Sequence, residues 1–549
     1  MRVRRSSHGM PVPVTLVWLK VWEVPGMESY MSANTTGNNR FGNLKTMIYG
    51  RTAVIMLGFL AQLALLIIAF FLLRSYSYLF YIFFLIISGV AVIHIFNAAG
   101  NPDMKLAWMF PIAIFPVFGA IFYTTIILQP GTKVLYGRLQ KLSQYTRAYV
   151  KPRAELEEKL RQESPSMGQL VHYLALYDNS PVYDNTQVTY YHLGDEQFPA
   201  MIEELQKAEK FIFMEFFIVS GGRMMEAVID ILKEKAKQGV EVRFLYDGTN
   251  VLWNLPSFFP KMMEEEGIRC KMFSPIKPIF SPHYNNRDHR KILVVDGRVA
   301  FTGGINIADE YINEKQRFGH WKDVGIKLTG DAVERFTYMF LELWDESEKQ
   351  KEAYEKYVCP EDASRPSDGY VIPYSVCPLG PERVGEKIYL DIINTAHTYV
   401  HIMTPYLILD HQMMMALCFA ARRGVEVVII MPHVPDKKYA FMLAKTYYNE
   451  LLEAGVKIYE YEPGFVHAKL FVADDLKAVV GTVNLDYRSL YHHFECGAVL
   501  YRNSQIQVME RDVQATLEKC IEMKTEDYKK LKLRERFLGR LMRVVAPLM

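Results

Sequence analysis

The chain has 549 residues, half of them hydrophobic, with 63 Lys plus Arg against 61 Asp plus Glu. That length exceeds one ordinary domain, and the near-zero charge balance argues against a protein held to nucleic acid by a global basic field. The six cysteines (Cys270, Cys359, Cys377, Cys418, Cys496 and Cys520) show no CxxC and no paired spacing, which argues against a disulfide framework or a zinc site.

In chain order, residues 1–46 form a leader that opens on Arg2, Arg4 and Arg5. Its apolar stretch is broken by Lys20 and Glu23, so it reads as a disordered or over-extended start rather than a secretory signal. Residues 47–130 read as a membrane domain. The run 53–73 is 21 residues without a charge, bracketed by Arg51 and Arg74; at 1.5 Å per residue it crosses a bilayer core of roughly 30 Å. A second run, 76–96, follows after a tight turn. The third, 106–128, enters through Lys105 and Trp108 and carries Pro111 and Pro116, which kink it. Lys133, Arg138, Lys141, Arg147, Lys151 and Arg153 come next and predict a cytoplasmic C-terminal part. Arg40, Lys45 and Arg51 are basic on the other side, and three full crossings cannot leave both ends inside. Either the third run is re-entrant or the N-terminus lies outside.

Beyond residue 165 the pattern becomes α/β, and it is duplicated. In the first half, 165–350, the apolar strand Phe211–Ile218 is followed by a helix and the strand Gly239–Asp247. In the second, 386–549, Tyr399–Ile408, a helix and Gly424–Met431 repeat that order. The Pro-, Ser- and Gly-containing stretch 360–385 reads as the linker between them.

Each half then delivers the same constellation. The first has His289-Arg-Lys291, Asp296-Gly297 and Asn306; the second has His467-Ala-Lys469, Asp474-Asp475 and Asn484, with 17 residues from His to Asn in both. On a strand, residues two apart share a face, so His and Lys project together. The Asp that follows turns the chain into a second strand and brings the Asn back beside the pair. Asp296 and Asp474 therefore read as holders of the turn. Two histidines offer a nucleophile and an acid, while two lysines and two asparagine amides offer a metal-free cradle for phosphoryl oxygens. Lysine is no zinc ligand, so no metal is expected at these histidines. A buried carboxylate behind each imidazole would fix its tautomer, and Asp323 and Glu495, which follow the motifs at similar distances, are the candidates.

The paired motifs resemble the phospholipase D superfamily. More narrowly, the segments Tyr284–Lys291, Gly304–Ile312, Thr404–Leu407, Asp436–Lys438, Gly464–Lys469, Gly481–Ser489, Tyr491–Gly497 and Ala546–Met549 resemble bacterial cardiolipin synthases. Lys105–Trp108 with Pro116–Gly119 resembles that family's membrane segment, so the likeness covers roughly residues 47–549. The leader and Gly248-Thr-Asn250 depart from it. The resemblance implies two packed phospholipase D-like α/β halves sharing one active site, beneath N-terminal transmembrane helices. It implies His289, Lys291, Asp296, His467, Lys469 and Asp474 as catalytic motif residues. The implied reaction joins two phosphatidylglycerol molecules into cardiolipin and glycerol through a phosphohistidine, with His289 as nucleophile and His467 as acid and base, no cofactor and no nucleic acid. The implied location is a bacterial plasma membrane, multi-pass, with the catalytic part in the cytoplasm; the sequence sets no oligomeric state. The competing readings are a phospholipase D-type hydrolase, transfer to another alcohol, and a lipid-binding scaffold.

Overall fold

The computed structural model describes residues 77–114, 130–275, 286–348, 350–359, 366–530 and 533–548, with positions 67, 68, 71 and 123 besides. The leader and almost all of the 53–73 run lie outside the described residues, as does the part of the third run beyond Ile114 except Tyr123.

The first half builds a seven-stranded sheet. Its strands in chain order are β1 (Thr186–Tyr191), β2 (Phe211–Phe216), β3 (Glu241–Asp247), β4 (Arg269–Phe273), β6 (Lys291–Val295), β7 (Val299–Gly303) and β9 (Gly325–Gly330), arranged β1-β9-β7-β6-β2-β3-β4. Two short strands, β5 (Arg287–Asp288) and β8 (His320–Lys322), leave this sheet. The second half has β10 (Tyr370–Val376), β11 (Tyr399–Met403), β12 (Glu426–Pro432), β13 (Lys457–Tyr461), β14 (Gly464–Val466), β15 (Leu470–Ala473), β16 (Lys477–Gly481), β17 (His493–Tyr501) and β18 (Cys520–Met523). Their order, β10-β17-β16-β15-β11-β12-β13-β18, is that of the first sheet with one strand added at the edge.

Side-chain alternation decides how the halves meet. In β2, Phe211 and Phe213 point into one buried cluster, while Ile212, Met214 and Phe216 point into another. In β15, Leu470 and Val472 join the cluster of Phe211 and Phe213, and Phe471 and Ala473 face away. One apolar layer is thus shared by the inner faces of both sheets, with a separate core behind each. The outer layers are helices of ordinary amphipathic design. Arg223–Lys237 buries Met224, Met225, Val228, Ile229 and Leu232, carries Lys235 and Lys237 in its last turn, and is followed by Gly239 at φ +89°.

Two segments fall differently from the sequence reading. The interval read as a linker contains β10, which pairs antiparallel with β17 from Tyr370↔Tyr501 to Val376↔Glu495. The helix Pro165–Asp178, assigned to the first half, buries Met167, Leu170, Val171 and Leu174 in the cluster of Ile388 and Ile392, so it covers the second half's sheet. Its apolar stripe gave the helix but not the partner. All six cysteines are free thiols.

On the N-terminal side, Ser77–Asn97 is a 21-residue helix without Asp, Glu, Lys or Arg, and it exposes Ile82, Phe83, Ile86, Val90, Ile93 and Phe96. Among the described residues, no helix is long and apolar enough to cross a membrane. The next helix, Pro102–Ile114, contains Pro111 and is fastened to the second half by polar contacts. Asn101 Nδ2 donates to Asp410 Oδ2 (2.7 Å) and Tyr491 OH (2.6 Å), and Tyr487 OH donates to Asp103 Oδ2 (3.0 Å).

Candidate active site

The two short strands that leave the sheets position the histidines. β5 lies parallel to the start of β17, and His289 N donates to Phe494 O (2.9 Å). β14 lies parallel to β8, and His467 N donates to Lys322 O (2.7 Å). Each accepting carbonyl belongs to the residue just before a carboxylate, and that carboxylate meets the same histidine. His289 Nδ1 lies 2.8 Å from Glu495 Oε2, and His467 Nδ1 lies 2.6 Å from Asp323 Oδ2. The pairs are crossed: each half's histidine is held by the other half's carboxylate.

This arrangement sets the tautomer. A carboxylate at Nδ1 takes that hydrogen and leaves the Nε2 lone pair for chemistry. Burial holds the Glu495 carboxyl well above its usual range, while Lys291 and the hydrogen bond that Thr482 Oγ1 donates to Oε2 (2.5 Å) pull it back toward the ionised form. His467 Nδ1 also lies 2.8 Å from Lys469 Nζ. One nitrogen cannot serve both, and the shorter contact to Asp323 takes its proton.

Electrostatics tie the four motif side chains into one site. His289 is held well below the usual histidine value, first by burial, then by the repulsion that Lys291, His493, Lys469 and His467 exert in their protonated forms. His467 is lowered to about 4 by burial and Lys469, with Asp323 pulling the other way. Burial brings Lys291 down to about 8 and Lys469 down to about 7. Each lysine donates to the carbonyl of its own motif histidine. Aromatic walls surround them: Phe217 is edge-on to His289 at 4.8 Å, and Tyr311 is edge-on to His467 at 5.4 Å.

Asp296 and Asp474 stand apart from this chemistry, which departs from counting them as catalytic. Asp296 sits at φ +53° and accepts from the backbone N–H groups of Glu209 (2.9 Å), Lys210 (2.7 Å) and Phe211 (2.8 Å). Asp474, at φ +56°, accepts from His397 (2.7 Å), Thr398 (2.8 Å) and Tyr399 (2.9 Å). Each carboxylate fixes the start of the central strand, one strand over from the histidine. Asp296→Ala leaves three buried or half-buried donors short of a charged acceptor and is expected to cost about 2–5 kcal/mol of stability. A lowered urea midpoint, with activity falling only as the folded fraction falls, checks it.

The asparagines split. Asn306 Oδ1 accepts from Ile218 N (2.9 Å) and its Nδ2 donates to Tyr311 OH (2.8 Å), so one of its two amide hydrogens is already used in support of the wall beside His467. Asn484 is buried with an Oδ1 that has no hydrogen-bond partner; its Nδ2, not Oδ1, is the group able to donate to a phosphoryl oxygen.

Sequence reasoning missed His493. Its ring lies 5.4 Å from that of His289, and its Nδ1 is 3.5 Å from Glu495 Oε1. Among the described residues, His289, His493 and Glu495 are grouped closely enough for a metal ion. The existing His289–Glu495 bond and the adjacent Lys291 cation account for the grouping as a charge network. The signal was present in the sequence, as His493 lies two residues before Glu495 on one strand and so shares its face. It also missed the buried cluster in which Arg290 Nε donates to Glu215 and lies 3.6 Å from Asp288, directly flanking His289.

Comparison with known proteins agrees with this geometry. The family described as "Cardiolipin synthase, PLD-like domain" matches residues 201–340 and 389–517, and "Phospholipase_D-nuclease N-terminal" matches 86–125. A cardiolipin synthase of Halalkalibacterium halodurans is 32% identical over 457 residues, covering 83% of this chain and 91% of the relative. An uncharacterized protein of Streptococcus mutans is 46% identical over 459 residues, covering 84% of this chain and 99% of its own length. The solved structure of a phosphatidylserine synthase from Haemophilus influenzae shares the fold with a TM-score of 0.51 at 15% identity, over 69% of this chain and 98% of the other. With two repeated sheets, two crossed histidine–carboxylate pairs and relatives matched over most of both lengths, the chain belongs to the cardiolipin synthase family of phospholipase D-like proteins.

Proposed function

We propose that this protein is a phosphatidyltransferase that makes cardiolipin and glycerol from two molecules of phosphatidylglycerol. The observation that carries the reading is the pair of crossed imidazole–carboxylate contacts, which leaves two Nε2 atoms and two buried lysines for one phosphodiester. His289, held well below the usual histidine value by burial, is neutral and suited to attack. His467, which Asp323 helps to hold a proton, is suited to acid–base work.

The reaction runs in two displacements. The anionic phosphodiester binds between Lys291 and Lys469, and its charge favours protonation of His467. His289 Nε2 attacks phosphorus, the bond to the terminal glycerol oxygen breaks, and His467 Nε2 gives that oxygen its proton. The second phosphatidylglycerol then presents a hydroxyl, His467 Nε2 takes its proton, and the oxygen displaces His289 from phosphorus. Lys291, Lys469 and Asn484 oppose the charge that builds on the non-bridging oxygens. The lipid substrate supports a location in a bacterial plasma membrane, and the cations Lys133, Arg138, Lys141, Arg147, Lys151 and Arg153 favour the cytoplasmic side for the site.

Purified protein in detergent micelles with phosphatidylglycerol alone is expected to yield cardiolipin and glycerol in equal amounts. Phosphatidic acid with glycerol would make it a hydrolase, and binding without turnover would make it a scaffold. The lysines set the alkaline limb of the pH profile. Since Lys469 loses its proton near 7 and Lys291 near 8 in the free site, kcat/KM is expected to decline as pH rises through that interval. The decline in kcat comes later, because bound phosphate keeps both lysines charged. A kcat/KM flat to pH 9.5 would refute the cradle role.

A further inference from the structure

The helix Leu533–Val545 is built inside out for a soluble surface. Gly539 is its buried residue: a Cβ there would come within 2.7 Å of Thr446 Cγ2 and 3.1 Å of Met442 O, so the helix lies against Lys438–Glu453 through its glycine. At about 100° per residue, positions two before and two after the glycine point nearly opposite to it. Those positions are Phe537, 70% exposed, and Leu541, 52% exposed; Leu533 at 80% and Val544 at 40% extend the same outward face. A surface helix ordinarily turns that face polar and buries its apolar stripe.

Charge and continuity identify what covers this face. The helix carries Arg534, Arg536, Arg540 and Arg543 against the single acid Glu535. Between it and Pro102–Ile114 lies a cavity of 510 Å³ lined by Leu106, Phe110, Met414, Tyr447, Arg543 and Val544. Leu106 and Phe110 are themselves exposed, so the outward apolar surface continues on the helix that follows Ser77–Asn97. Apolar side chains flanked by arginines are the composition of a helix lying in the headgroup layer of an anionic bilayer.

We propose that Leu533–Val545 is a second membrane contact, an interfacial helix that binds anionic phospholipid and holds the second half against the bilayer. Only its setting, a membrane, rests on the function proposed above.

The test uses the full chain in vesicles, with the photoreactive residue p-benzoylphenylalanine in place of Phe537. In phosphatidylglycerol vesicles, irradiation is expected to give a lipid adduct, at several-fold lower yield in phosphatidylcholine vesicles. An adduct between two copies would make the face a dimer contact, and no adduct would leave it in water; either overturns the proposal. This readout needs no turnover, so it stands or fails apart from the reaction. In a second variant, Phe537→Asp with Leu541→Asp, KM for vesicle phosphatidylglycerol is expected to rise about tenfold, while kcat in detergent micelles stays within twofold. Equal loss in vesicles and micelles would contradict an interfacial role.

Discussion

His289→Ala and His467→Ala are each expected to lower kcat by at least about 10,000-fold, with the circular dichroism spectrum and thermal midpoint nearly unchanged. The size follows from how the two residues share the work. Without His289 there is no covalent carrier, and without His467 the departing alkoxide has no proton. Because both serve one displacement, the double variant is expected to be scarcely worse than either single one, as for residues that act as a unit. Multiplicative losses would mean two separate sites. A second distinction is available: His467→Ala retains the nucleophile, and a substrate with a good leaving group, such as a p-nitrophenyl phosphodiester, is expected to react with it while sparing none of the loss in His289→Ala.

Glu495→Gln is expected to lower kcat by about 100- to 10,000-fold with little change in KM. The carboxylate takes the Nδ1 hydrogen of His289 at 2.8 Å, and an amide can present either end to that nitrogen. Where it presents its NH2, the imidazole proton moves to Nε2 and the nucleophile is lost. Because Glu495 belongs to the second half, this change disables the first half's histidine. Loss of covalent intermediate formation in Glu495→Gln, measured by rapid quench, is the expected signature; a defect only in breakdown of the intermediate would assign the carboxylate to His467 instead. His493, on the same strand, is a positioning residue by its geometry. His493→Asn is expected to reduce kcat by about tenfold and to move the acid limb of the pH profile to higher pH, since burial keeps both rings neutral and a proton on either one opposes a proton on its neighbour 5.4 Å away. An unchanged acid limb would remove it from the network.

Local pattern carried much of this fold. Continuous apolar runs marked β2 and β15, spacing of two put each His and Lys on one face, and Asp296 and Asp474 stood where the chain had to turn, both at positive φ. Even the carboxylates Asp323 and Glu495 were visible as residues. Their crossing was not, because His289 and Glu495 are 206 positions apart and His467 and Asp323 are 144 apart. Periodicity reports which face of an element is apolar and says nothing about the element opposite. The same limit misplaced Pro165–Asp178, whose stripe suits either sheet, and hid β10 inside a stretch whose Pro373 and flanking glycines suggested a linker. Asn306 shows a further limit: its amide fits a phosphate equally well on paper, and only packing reveals that it braces Ile218 and Tyr311.

The central claim is that one phosphatidyl group passes through His289 at a site made by both halves. It is tested most directly by rapid-quench labelling with phosphatidylglycerol carrying ³²P, followed by peptide mapping. The account predicts acid-labile, alkali-stable label on the peptide containing His289, chased into cardiolipin by unlabelled phosphatidylglycerol. Label on the His467 peptide would reverse the roles of the two histidines, and turnover with no protein-bound label would contradict covalent transfer altogether.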